Sequence, residues 1–177
     1  MTMEMNKTLR HMAWANQRLI RDLQKLPDEA LEAYVVNPEW SVAEILRHIC
    51  SSASWYAYRL IDPVTLTAES RAALESKLDE LEVAPESMRD LKRFADFASI
   101  ADRDLLEASH LPEGEVVRES EGKRIVRARS TVISQAVHHA TEHRAQLVAA
   151  LEARNFLGVD LDSMDMWAFC DEIGEGL

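Results

Sequence analysis

The sequence predicts an all-α protein, a bundle of four long helices. Three observations predict it. Apolar residues recur at spacings of three and four through most of the chain, the period of a helix with one buried face. With only 5 Gly and 5 Pro, few residues interrupt a helix. The 177 residues suffice for one domain with a full core, so a single helical unit over residues 1–177 is expected.

The first helix is expected from about Met3 to Leu26. Its stripe is Leu9, Met12, Ala13, Asn16, Leu19, Ile20 and Leu23, and Pro27-Asp28 closes it. Ser41-Val42-Ala43-Glu44 has the form of a capping box and opens a second helix, Val42 to Leu60. Val42, Ile45, Leu46, Ile49 and Ala53 form its buried stripe, with His48 on the border. A shorter, charged helix is expected between Thr67 and Val83. Pro85 suits the first turn of a third long helix reaching about Ser109, with Met88, Leu91, Phe94, Ala95, Ala98 and Leu105 inward.

Glu115 to Arg129 breaks the helical pattern. Val116-Val117 and Ile125-Val126 flank Glu121-Gly122, as in a short β-hairpin. Arg118, Lys123, Arg124, Arg127 and Arg129 gather there; a solvated loop is the plain account, an anion- or partner-binding strip the sharper one. Ser130 or Thr131 can cap a fourth helix reaching about Asn155, whose apolar face is Ile133, Ala136, Val137, Ala140, Leu147 and Leu151. A short helix from about Met164 to Ile173 ends the pattern.

Lys plus Arg is 20 against 31 Asp plus Glu, a net charge of −11. A field of that sign repels phosphate backbones and anionic lipid, so no nucleic-acid or membrane partner is expected. Two cysteines, Cys50 and Cys170, form no disulfide ladder or Cys-x-x-Cys motif, and both are expected to be structural. Met1 to Arg10 lacks the pattern of a signal peptide. The expectation is a soluble, reduced, cytoplasmic protein.

Three of the 6 histidines, His138, His139 and His143, crowd into one stretch of the fourth helix. Four residues turn a helix by about 400° and rise about 6 Å, so His139 and His143 point the same way and can share an ion. His138 points elsewhere. Two imidazoles leave a metal short of ligands, and His48, at the core edge of another helix, is the best third. Neutral imidazoles suit Zn²⁺, Ni²⁺, Fe²⁺ or Cu²⁺, and three protein ligands leave a position open for water or substrate. For each of these histidines taken singly, a hydrogen-bonded boundary residue is the plainer reading.

His139 to His143 also spells H-x-x-E-H, the inverted zinc-peptidase pattern with Glu142 as base. The domain is too small and too helical for that, and Glu142 reads as an exposed helix residue. Glu44, one turn before His48, could orient a ligand, although its capping role is the simpler account. Trp14, Trp40, Trp55 and Trp167 read as packing residues, with Trp14 and Trp55 the candidates for pocket walls.

These residues carry a resemblance. Trp14 to Leu19, Trp40 to Ile49 and His139 to Leu147, in that order with a hairpin before the last, resemble the DinB/YfiT-like family of helical-bundle proteins. The resemblance covers nearly the whole chain. It implies a bundle of DinB type with a crossover before the last long helix, frequent homodimers, and metal ligands at His48, His139 and His143. It implies a divalent ion, zinc or nickel foremost and iron next. Relatives include S-transferases and isomerases that use low-molecular-weight thiols such as bacillithiol, mycothiol or glutathione, and metal-dependent hydrolases. The expectation is therefore a metal-dependent enzyme acting on a small molecule, by thiol transfer or hydrolysis. The alternative is a non-catalytic stress-response or protein-binding module with a structural or relict metal site.

Overall fold

A computed structural model of the chain describes residues 3–60, 72, 75, 76 and 78–175. Helix α1 spans Met3–Leu23, α2 Val42–Leu60, α3 Leu91–Ser109, α4 Arg129–Glu152 and α5 Met166–Glu172. Strands β1 (Glu115–Ser120) and β2 (Lys123–Ala128) form an antiparallel hairpin before α4, and 3-10 turns occupy Asp28–Glu32 and Asp162–Met164. The chain is mostly helical, as predicted. The charged helix expected between Thr67 and Val83 lies largely outside the described residues.

The sequence pattern explains most boundaries. Helix α1 ends at Leu23 rather than Leu26, because Leu26 N–H turns back to the Leu23 carbonyl at 2.9 Å and Pro27 offers no amide. In α2 the predicted stripe is buried throughout. Helix α3 starts at Leu91, not near Pro85. The Asp90 carboxylate captures the N–H groups of Glu86 (3.0 Å) and Ser87 (2.9 Å), and Asp28 takes the Met88 N–H at 2.7 Å; these side chains fix a separate turn where helix would otherwise run. Glu121 and Gly122 both have positive φ (52° and 72°), the twist that suits a two-residue hairpin turn. Helix α4 begins at Arg129 without a cap from Ser130 or Thr131. Glu113 accepts from the Ser130 N–H at 3.2 Å instead, satisfying an amide orphaned at the helix start.

Helix α1 packs on α3 and α4, and α2 on the same two helices. Helices α2 and α4 run antiparallel. His48 meets His139 at one level, and Arg129 donates to the Leu60 carbonyl (3.4 Å) at the other. Two apolar clusters fill the bundle. One holds Leu19, Leu46, Phe94 and Leu147, the other Leu9, Met12, Leu105 and Ile133. Among the described residues, no helix is long and apolar enough to cross a membrane.

Between the two clusters lies a polar layer. Asn16 on α1 donates from Nδ2 to both oxygens of Asp102 on α3 (3.1 and 3.3 Å). Arg144 on α4 donates to Asn16 Oδ1 at 2.7 Å and to Thr141 Oγ1 at 3.2 Å. Asn16, Asp102 and Arg144 are 2%, 2% and 4% exposed, so the carboxamide bridges a buried anion and a buried cation.

Candidate metal centre

His48 projects from the middle of α2, and His139 and His143 from successive turns of α4. Their rings converge on the seam between the helices, with centroid separations of 4.3 to 4.7 Å. One ligand nitrogen from each lies within 4.8 Å of the others. Nε2 of His48 and Nε2 of His139 are 2.9 Å apart. Two nitrogens held by one ion at 2.0–2.1 Å in tetrahedral geometry stand about 3.3 Å apart, so the donor set fits a divalent ion with small ring movements. The three histidines that spacing selected are thus brought together.

The protonation of two rings is set by their surroundings. Burial, then the neighbouring His143 and Arg47, lowers the His48 value. Burial, then His143 and His48, lowers that of His139 to about 4. Both rings are therefore neutral near pH 7, the form a metal requires.

The orientation of His143 comes from residues the sequence reading missed. Gln146 Oε1 accepts from Trp40 Nε1 at 3.1 Å and lies 2.8 Å from His143 Nδ1. The indole can only donate, so Gln146 presents its oxygen, and His143 Nδ1 must carry the proton. Its Nε2 is then left with a lone pair. This is the arrangement by which metal proteins fix a ligand tautomer. The i, i+3 spacing of His143 and Gln146 was a signal for it; nothing local pointed to Trp40.

Trp40 also packs edge-on against His48 (5.2 Å) and His143 (5.6 Å). On the hairpin side, Tyr56 stands 5.7 Å from His139. These two aromatics flank the histidines, in place of Trp14 and Trp55. Trp14 instead packs with His11 and Phe169, beneath the Arg18 guanidinium, and Trp55 lies against Tyr58 and Arg59. A groove of about 290 Å³ runs behind Trp40 and Gln146, lined by Val35, Val36, Ala149 and Ala150.

The other candidates fall away from the centre. Glu142 and His138 are exposed. Glu44 receives the Arg47 guanidinium at 2.8 Å, while its N–H reaches the Ser41 hydroxyl at 3.4 Å; its carboxylate is thus engaged by Arg47 rather than by a ligand histidine. Cys50 is buried with its thiol toward the Phe94 carbonyl (3.8 Å), and burial pushes its pKa up. Cys170 is half-buried, 3.6 Å from a Glu175 oxygen.

A family model described as "DinB family" matches residues 1–169. No curated protein and no solved structure matched the chain.

Proposed function

The chain belongs to the DinB family, and from that membership and the geometry of the α2–α4 seam we propose that it is a metal-dependent enzyme for a small-molecule substrate. His48, His139 and His143 would hold one divalent ion, zinc or nickel ahead of iron. The observation that carries this reading is the convergence of three imidazoles, with Nδ1 of His143 already committed to Gln146.

When bound, such an ion supplies Lewis acidity that lowers the pKa of a water or thiol. The chain's own residues do the rest. His48 and His139 offer neutral nitrogens at physiological pH, Gln146 and Trp40 hold His143 in the required tautomer, and Tyr56 and Trp40 flank the seam. Among the described residues, no side chain at the seam is placed as a nucleophile, which favours a nucleophile brought from solution. We favour a low-molecular-weight thiol in an S-transfer, with hydrolysis by water second.

The test is to purify the protein without an affinity tag, measure its metal content, and follow turnover of a model electrophile with and without added thiol. We expect about one divalent ion per chain and turnover that needs thiol. Thiol-independent cleavage of an ester or amide would favour hydrolysis. Equal rates in wild type and His48→Ala would remove the histidines from the chemistry, leaving a non-catalytic module.

A further inference from the structure

The groove behind Trp40 is apolar, uncharged and held open. It measures about 290 Å³ and runs along Val35, Val36, Trp40, Ile45, Ala150 and the Gln146 amide, with no charged side chain among the described residues that line it. Val35 and Val36 are 56% and 86% exposed. Apolar side chains kept in water at the rim of a concave surface are a feature of ligand grooves. The segment that carries them is tied down on both sides. The Tyr34 carbonyl accepts from Arg154 Nε at 3.1 Å, and the Arg154 guanidinium lies 4.0 Å from the Tyr34 ring centroid. Beyond the valines, the Trp40 N–H donates to the Asn37 carbonyl (3.0 Å), and the Val42 N–H to the Ala33 carbonyl (2.8 Å), which closes the loop at its base. The backbone thus holds the valines in solvent, and the groove is formed before a ligand arrives, as small-molecule sites commonly are.

Gln146 supplies the polar handle. Its Oε1 is taken by Trp40 Nε1 and His143 Nδ1. The amide also carries two N–H donors on Nε2, and none of the described residues accepts from them. These donors are what Gln146 has left to offer the groove. His143 meets the amide through Nδ1, so the groove lies on the side of that ring away from its lone pair. A charged ligand would lose its hydration there and find no counter-charge, and a pure hydrocarbon would leave the amide donors unmet. The volume stands at the low end for ligand pockets and suits a ring-sized molecule rather than a peptide segment.

We propose that this groove is a second ligand site, distinct from the side of the histidines that faces an ion. It takes a small neutral molecule of mainly apolar surface with one acceptor oxygen, such as a ketone, ester or lactone. The oxygen accepts from Gln146 Nε2, and the body lies between Trp40 and the two valines. The site does not depend on the histidines holding a metal.

The test uses the full-length ¹⁵N-labelled protein with acetophenone, ethylbenzene and benzoate, which share a ring and differ in the oxygen and the charge. The Gln146 Nε2–H₂ signals and the Val35 and Val36 amides should shift together and saturate at millimolar acetophenone. Ethylbenzene at equal concentration should give no more than a fifth of that response, and benzoate none. Gln146→Glu keeps an acceptor oxygen for Trp40 and His143 but removes the Nε2 donors, so acetophenone should lose its advantage over ethylbenzene. Val36→Asp, at a position too exposed to endanger folding, should abolish the response to both. Absence of saturable shifts, equal responses to acetophenone and ethylbenzene, or an undiminished preference in Gln146→Glu would overturn the site. Movement of the same signals on raising the protein concentration alone would give the groove to a second copy of the chain and overturn it as well.

Discussion

Two polar centres sit side by side on α4, one residue apart in sequence, and they are built on opposite principles. Arg144 enters a nearly water-free layer in which the guanidinium has the Asn16 carboxamide and Thr141, and Asp102 has both of its oxygens on Asn16. His143 enters a half-buried seam in which three nitrogens face one another with no carboxylate, among the described residues, grouped with them. Buried polar groups are normally paired inside the protein. The first centre obeys that rule and serves the fold. The second gathers three ring nitrogens around a common point, a group that could hold a divalent ion.

The comparison can be broken by removing one member from each side. At pH 8, where Asp102 is mostly ionised, Asp102→Ala leaves the Arg144 cation buried without a counter-charge, and stability should fall by about 3–5 kcal/mol, read by chemical denaturation. A loss under 1 kcal/mol would mean that water or repacking relieves the cation. His48→Ala should behave oppositely. We expect zinc affinity to drop at least ~100-fold, more than an outer partner costs, while the metal-free melting temperature stays nearly unchanged. A large loss of metal-free stability would place His48 with the structural centre.

Smaller changes sharpen the contrast. Gln146→Leu keeps the packing but frees His143 to adopt either tautomer, and metal affinity should fall about 10-fold, measured by competition with a chelator. An unchanged affinity would show that Trp40 packing alone orients the ring. The finest test is pH. Burial pushes Asp102 up to about 7, against the pull of Asn16 and Arg144; Cys50 on α2 also faces it. The folded state then holds a proton that the unfolded chain loses near pH 4. Wild-type stability should therefore decline relative to Asp102→Asn between about pH 4 and 7, by at most ~1.4 kcal/mol per unit, and run parallel above. A wild type that runs parallel to Asp102→Asn across that range, or gains on it as pH rises, would mean an ionised carboxylate throughout.

The two centres also differ in how far the sequence revealed them. The histidines were legible because i, i+4 spacing and a core-edge position are local facts. Asn16 was visible on the α1 stripe, but its partners were not. Asp102 and Arg144 are charged, and charged residues read as surface until three helices are seen to close over them. The hairpin was legible from its turn and its valines. The start of α3 was misplaced because Asp28, some sixty residues earlier, takes the Met88 amide, a constraint outside any local pattern.

Trp40 has a practical consequence. Its indole is bonded to the amide that steers one imidazole and lies against two of the three rings; the contacts of Trp14 and Trp55 lie elsewhere. The protein therefore carries its own optical gauge of occupancy. An ion arriving at the seam must perturb Trp40 emission, and a paramagnetic ion such as Cu²⁺ must quench it, so loading can be followed in unlabelled protein.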